Sequence, residues 1–333
     1  MRTLGNNGPS VLDIGLGCMG MSDLYGPADD TESIATIHAA LDAGITLLDT
    51  GDYYGMDHNE LLIRDALKGR NRGQVVISVK CGALRDPKGN WLGIDGRPSA
   101  VKNFLAYTLR RLGTDWVDIY RLGRVDPAVP IEDTVGAMAQ MVKAGYVRHI
   151  GLSEAGSATV RRAQSVHPIC DLQTEYSLIS RGIEDHILPT CRELGIGITA
   201  YGVLSRGLIS GHWTKQRSTA PNDFRSHSPR FSPDNIDRNL QLVEQLRRVA
   251  GSKNATVAQV AIAWVLSRGV DVVPLVGARR RERLTEALGA TQLTLTGDDL
   301  QQIEHAVPLN AAAGDRYAAA QMSTLDSEVK PST

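Results

Sequence analysis

Cysteine is scarce and scattered. Cys18, Cys81, Cys170 and Cys191 are the four in 333 residues, and no two of them form a CxxC pair. That argues against a zinc site or a disulfide framework, leaves no metal site to expect, and fits the reducing cytoplasm. A surplus of charge is missing too: 36 Lys and Arg stand against 37 Asp and Glu, for a net charge of −1. No basic field is present to attract nucleic acid or an anionic membrane. No apolar stretch is long enough for a membrane span, and the opening Met1-Arg2-Thr3-Leu4-Gly5 has no signal-peptide core. Phenylalanine is limited to three residues, and no sequence repeat runs along the chain. What remains, 42% hydrophobic and 22% charged, is an ordinary soluble globular composition.

What is present is alternation. Short apolar runs at 45–49, 75–80, 117–120, 147–153, 170–174, 197–201 and 270–275, with Ile14–Cys18, read as about eight strands. Between them lie helical patterns at 31–43, 58–67, 99–112, 131–144, 158–166, 183–194, 234–250, 256–268 and 280–288. Eight βα units with strands apolar on both faces predict a (β/α)8 barrel of the α/β class. The turn cluster Asn6-Asn7-Gly8-Pro9 predicts a small N-terminal β-hairpin. The chain then reads as a single barrel domain over 1–333, with a core of about 2–310 and a tail of 311–333 to which no function is assigned. Three loops, 20–30, 83–98 and 203–233, are long for βα connections and fall on the catalytic rim. Tyr25 and Trp91 in them are candidate substrate-wall residues, with plain loop packing as the alternative. His149 and His167 read as structural, and Arg110-Arg111 as a solvated helix face.

Chemistry concentrates where strands end. Leu48-Asp49-Thr50-Gly51-Asp52-Tyr53-Tyr54-Gly55 turns from an apolar run into acids and tyrosines, and Lys80 ends the next strand. A tyrosine can protonate a carbonyl oxygen if a neighbouring ammonium favours its phenolate, and a carboxylate can hold that ammonium charged. Tyr54, Lys80 and Asp49 supply these three parts. The cluster Arg279, Arg280, Arg281 and Arg283 opens a helix after the last strand, an arrangement suited to a phosphate.

These segments resemble the aldo-keto reductase family. Asp49 to Gly55 is similar to its DTAxxYG motif, and Ser78-Val79-Lys80 to its lysine strand. Tyr146 to Ser153 resembles its KVRYIGLSN segment, Gln173-Thr174-Glu175-Tyr176-Ser177 its QxEYS strand, and Tyr201 to Leu208 its YSPLGRGLL loop. Pro274 to Arg280 parallels IPGTRR, and Gly15 to Ser22 resembles the first strand and loop. The likeness runs in order from about 2 to 310 and is nearest the long-chain, bacterial-type branch that includes pyridoxal reductases and potassium-channel β subunits. It implies an NADP(H)-dependent reductase of aldehydes or ketones, a small-molecule carbonyl substrate, and Tyr54 as general acid tuned by Asp49 and Lys80. It further implies Ser153 and Gln173 on the nicotinamide carboxamide, Tyr201 stacked on the ring, and Gly17 and Met19 along the cofactor. Leu204, Ser205, Gly207 and Leu208 would line the pyrophosphate. Arg279 and Arg283 would meet the adenosine 2′-phosphate beside Gly277, with Glu286 on the adenine amine. No oligomeric state is read from these motifs.

Three positions depart from the pattern. Gly123 stands where the family carries its fourth catalytic residue, a histidine. Arg121, Arg124, His58 or a water could substitute, or the glycine could widen the pocket. Glu154 stands where an asparagine follows the serine, and Ala287 where an asparagine follows Glu286. The glycine leaves a second expectation open: a cofactor-binding regulatory subunit with little or no catalysis. A Schiff-base aldolase using Lys80 is a third, opposed by Asp49, which would hold that lysine charged.

Overall fold

The strand periodicity is realised as a closed ring. A computed structural model describes residues 1–22, 24–217, 219 and 223–329. Positions 23, 218, 220–222 and 330–333, parts of the expected loops and tail, lie outside the described residues. In order come β1 (Arg2–Thr3), β2 (Ser10–Val11), β3 (Gly15–Gly17), α1 (Asp30–Asp42), β4 (Leu47–Gly51), α2 (His58–Ala66), β5 (Val76–Cys81), β6 (Ala83–Arg85) and β7 (Trp91–Ile94). These are followed by α3 (Pro98–Leu112), β8 (Val117–Leu122), α4 (Ile131–Lys143), β9 (Val147–Ser153), α5 (Ser157–Val166), β10 (Ile169–Glu175), α6 (Ile187–Leu194) and β11 (Gly197–Tyr201). The last group is α7 (Pro233–Ser252), α8 (Val257–Leu266), β12 (Val272–Gly277), α9 (Arg281–Gly289), α10 (Gly297–Ala306) and α11 (Ala319–Met322).

Eight parallel strands close in the order β10-β11-β12-β3-β4-β5-β8-β9, the expected (β/α)8 barrel. Every residue of β4 and of β10 is buried, as strands covered by helices outside and a packed interior require. Helix starts follow local capping: the Asp29 carboxylate accepts from the Glu32 amide, and Thr256 and Gln259 form a capping box at α8. Gly113 ends α3 with φ 65°, a left-handed conformation that suits glycine. Gly15-Leu16-Gly17-Cys18-Met19-Gly20 has GxGxxG spacing, yet only a three-residue 3-10 turn follows β3, not the α-helix that a dinucleotide fingerprint needs.

The expected hairpin forms from β1 and β2 and plugs the N-terminal end of the barrel. Its Leu4 and Val11 pack with Leu47, Ile119, Cys170, Val273 and Leu275 into an apolar floor. Everything polar in the interior therefore lies above that floor, toward the C-terminal mouth. Two elements depart from the sequence reading. The long loop 83–98 contains an antiparallel hairpin, β6–β7, that sets Trp91 over the mouth. Arg111 is not merely solvated: it bonds the fully buried carboxylate of Glu60 on α2. That reading failed because a helix face turned toward its neighbour looks, in sequence, like one turned toward water.

Candidate active site

Parallel pairing brings the strand-end residues together. Asp49 lies opposite Ser78, Gly51 opposite Lys80, and Lys80 opposite Arg121, so their side chains converge inside the barrel. Lys80 Nζ donates to Asp49 Oδ2 at 2.5 Å, and the lysine is 2% exposed. Asp49 Oδ1 accepts from Ser78 Oγ at 3.0 Å, Gln173 Nε2 at 2.8 Å and Arg121 Nη1 at 3.1 Å. Below, Arg121 also pairs with Asp171, which accepts from Thr199. Gly151 makes this layer possible, because a Cβ there would stand 2.5 Å from Asp171 Oδ1 and 3.0 Å from Arg121 Nε.

Lys80, Asp49, Arg121 and Asp171 alternate in sign and sum to zero, the condition under which four charges can share a dry interior. Burial lowers the Lys80 pKa while Asp49 opposes it. Burial also works against the Arg121 charge, but Asp171 and Asp49 outweigh it and hold the guanidinium charged. Arg121 is thus committed to the barrel interior rather than to the space above Gly123. His58 is committed as well, with Nδ1 2.9 Å from Ser22 Oγ and Nε2 3.2 Å from Asp30.

Tyr54 sits above the pair, with Lys80 Nζ 5.0 Å from its ring centroid. The lysine thus stands over the ring, and the phenol is not eased toward ionisation. Burial holds its pKa well above the usual tyrosine value, with Tyr53 and Asp49 adding to the rise and Arg124 opposing it. Tyr53 packs edge-on against Tyr54 with centroids 4.9 Å apart. Burial takes the Tyr53 pKa up to about 12, with Arg124 opposing the rise and Asp52 adding to it. Tyr53 also answers what lies beside Gly123. A Cβ on that glycine would stand 3.4 Å from the Tyr53 hydroxyl and 3.0 Å from the Cys81 carbonyl. The glycine does not widen the pocket, because a phenol occupies it.

The C-terminal tail closes the other side. Glu154, fully buried, holds a left-handed backbone at φ 53°. Asparagine tolerates that conformation better than glutamate, so a local network offsets the strain. Arg316 Nη2 reaches Glu154 Oε2 at 2.5 Å and Nη1 reaches Oε1 at 3.0 Å, a bidentate pair. Ser327 Oγ and the Tyr201 hydroxyl donate to the same carboxylate at 2.5 and 2.8 Å. Tyr317 then lies in the mouth, its hydroxyl 2.8 Å from that of Tyr201, its ring 4.5 Å from the Arg206 guanidinium. Arg316 and Tyr317 were invisible to motif reading because a polar tail has no periodicity. An arginine-tyrosine pair in an otherwise small-residue segment was the available signal.

The Aldo/keto reductase family model matches residues 13–308. The chain belongs to the aldo/keto reductase family. A "Probable aldo-keto reductase 1" from Glycine max is 41% identical over 319 residues, covering 94% of this chain and 90% of that protein. The aldo-keto reductase AKR11C1 from Bacillus halodurans, in its holo form, superposes with a TM-score of 0.77 at 26% identity, covering 94% of this chain and 97% of that one. The glycerol dehydrogenase AKR11B4 from Gluconobacter oxydans shares the fold, with a TM-score of 0.83 at 23% identity, covering 100% of this chain and 98% of that one. Membership makes the chain an oxidoreductase acting on small carbonyl compounds, in a family that generally uses nicotinamide cofactors. Among the described residues, no helix is long and apolar enough to cross a membrane.

In this aldo-keto reductase the residues expected around a cofactor fall on one arc of the mouth. Gly17, paired with Gly277, and the half-buried Met19 border it at β3 and β12. Leu204 precedes a tight turn in which Ser205, Arg206 and Gly207 take φ of 45°, 57° and 94°, ahead of the buried Leu208. Successive left-handed residues present a concave backbone of the kind that cradles anions. Arg279 bonds the Gly26 and Pro27 carbonyls at 2.8 and 3.1 Å and has no carboxylate partner among the described residues. Burial first, then Arg225 and Arg280, lower its pKa. Mutually repelling guanidiniums suit a phosphomonoester dianion, so the donor set fits a 2′-phosphate. Other expected contacts are engaged within the protein: Gln173 with Asp49, Ser153 with Arg124 at 3.4 Å, and Glu286 with His212 and Arg283. Tyr25 and Trp91 wall different sides, Tyr25 beneath the Arg225 guanidinium at 5.0 Å and Trp91 edge-on to Tyr53 at 6.3 Å.

Proposed function

We propose that this protein reduces aldehydes or ketones to alcohols with NADPH. Tyr54 acts as general acid, and Lys80 and Asp49 set its electrostatics. The observation that carries the reading is the buried Lys80–Asp49 pair at 2.5 Å beneath the Tyr54 ring. Arg279 and Arg283 would hold the 2′-phosphate, Ser205, Gly207 and Leu208 the pyrophosphate, and Ser153, Gln173 and Tyr201 the nicotinamide. Bound NADPH supplies the hydride. Tyr54 gives its phenolic proton to the carbonyl oxygen as negative charge develops there, which is when a high-pKa phenol becomes a useful donor. Arg124, the group that opposes the rise in the Tyr54 pKa, stabilises the phenolate left behind. Tyr53 packs edge-on against Tyr54 on the side where Gly123 has no side chain to offer.

The chain works as one barrel over its core of about 2–310, with the tail docked on it. Four buried, unpaired cysteines support the cytoplasm as its compartment. A second reading, a regulatory subunit that binds cofactor without turnover, draws on the missing imidazole at Gly123 and on the raised Tyr54 pKa. Tyr54→Phe separates the two. In the first reading it abolishes NADPH oxidation across an aldehyde panel while NADPH still binds. Unchanged turnover in that variant would refute the role given to Tyr54, and a wild type inert to every aldehyde favours the second reading.

A further inference from the structure

The arginines of the mouth, some buried and some half-buried, differ in their partners. Arg206 and Arg230 pair with Glu175 at 3.3 and 3.2 Å, Arg225 with Asp223 at 2.5 Å, and Arg316 with Glu154 at 2.5 Å. Arg124 and Arg85 have no carboxylate partner among the described residues. Arg124 makes one short bond, Nη1 to the Gly123 carbonyl at 2.6 Å, with Ser153 Oγ and the Tyr317 hydroxyl both at 3.4 Å. Arg85 gives Nη1 to the Gly89 carbonyl at 3.1 Å, and its Nε is buried without a partner. Both flank Tyr53. The Arg85 guanidinium is 5.8 Å from the Tyr53 ring and 5.2 Å from the Trp91 ring. Arg124 follows Gly123, whose missing side chain the Tyr53 hydroxyl replaces.

A cation taken from water without a counter-charge is costly, and a ligand anion offsets that cost. Two guanidinium forks match a carboxylate or a phosphate. The cofactor's phosphates are not that anion, because their arginines follow β12. In the closed order of the barrel, β12 lies four strands from β8, which carries Arg124 at its end. The other charged groups nearby are spoken for: Glu154 serves Arg316, and Asp49 serves Lys80 and Arg121. Asp52, whose oxygens are buried and have no hydrogen-bond partner among the described residues, pairs with neither arginine.

We infer that Arg124 and Arg85 form an anion subsite beside Tyr53, and that the carbonyl substrate carries a carboxylate or a phosphate. Trp91 would cover its apolar body. This rests on the reductase reading for the identity of the reacting group, but the subsite can be read without turnover.

The experiment compares para-carboxybenzaldehyde with its methyl ester, and glyceraldehyde phosphate with glyceraldehyde, at saturating NADPH. In wild type at least one anionic member is favoured by about tenfold or more in kcat/KM, through KM. About 0.5 M NaCl narrows that gap. Which pair shows the preference assigns carboxylate, phosphate or both. Arg124→Gln and Arg85→Gln each move the selectivity toward unity, and Arg124→Lys restores part of it. No preference in either pair, or selectivity kept in both Gln variants, overturns the inference. Calorimetric titration of the NADPH-loaded protein with benzoate and with benzamide serves as the arm free of turnover. Benzoate preference lost in Arg124→Gln keeps the subsite even if no aldehyde is reduced, in which case the reductase reading alone fails. Equal binding of benzoate and benzamide, with no anion preference in turnover, overturns the subsite.

Discussion

Replacing Glu154 by Gln tests whether the tail is bound by charge. The carboxylate is fully buried, and Arg316 approaches it through two nitrogens, at 2.5 and 3.0 Å. An amide keeps the size, and it loses the charge and one acceptor. The Arg316 guanidinium would retain two carboxylates, Glu328 at 2.7 Å and Glu175 at 3.8 Å, beside the Ser327 hydroxyl at 3.0 Å. Breaking one side of a buried pair costs about 3–5 kcal/mol, and these two remaining acids put the expectation near the lower end, about 3 kcal/mol. A chain of 333 residues unfolds with an entropy of about 0.7 kcal/mol/K, so the loss is about 4 °C in Tm. The pH dependence is more diagnostic. Burial raises the Glu154 pKa, but Arg316 and its other partners more than reverse this, leaving it far below the ordinary 4.5 in the folded state. A depressed folded pKa means that the pairing contributes fully above about pH 5, where the unfolded carboxyl is also ionised. The contribution fades as pH falls below 4.5 toward the folded pKa. The wild-type advantage in Tm, followed by scanning calorimetry, should therefore be largest near neutrality and shrink in acid. Limited proteolysis should cut the variant within 311–329 first. Equal Tm values at neutral pH, or a difference independent of pH, would refute the charge-bound tail.

Other expectations are briefer. Tyr53→Phe removes the hydroxyl beside Gly123 and should lower kcat by about ten- to a hundredfold in steady-state assays while leaving the NADPH Kd near its original value. In the same pocket, Gly123→His alone should fail to seat an imidazole, since its Cβ meets Tyr53 and the Cys81 carbonyl, whereas pairing it with Tyr53→Ala should recover turnover. Arg279→Ala should weaken NADPH about tenfold, with much less effect on NADH, in fluorescence titrations; equal losses for both would sink its assignment to the 2′-phosphate.

Much of this molecule is legible in one dimension. Barrel strands such as Val76–Cys81 and Gly197–Tyr201 appear where the apolar runs place them, because a strand buried on both faces must be largely apolar along its length. Asp49, Tyr54 and Lys80 are legible for a related reason: ionisable residues at the ends of such strands have only the barrel mouth to face. Hairpin β6–β7 looks like loop in the sequence, since four exposed or half-buried residues from Trp91 to Ile94 carry no clean alternation. The tail carries no assigned function in the sequence, since nothing local marks Arg316 as the partner of a glutamate 162 residues away.

The sequence by itself determined the barrel, the order of its strands and the acid, lysine and tyrosine at its mouth. Those follow from local periodicity and from the register that parallel strands must keep. Only the tertiary structure decided what the substitutions mean. Gly123 is not an empty place, because Tyr53 folds back from the next-but-one strand to stand against it. Glu154 is not a weakened cofactor contact alone, because the tail returns to bury an arginine on it. Nor is Arg121 a stand-in for histidine, because Asp49 and Asp171 hold it in the interior. Each of these depends on which side chains share a small volume, and that is a property of the closed barrel.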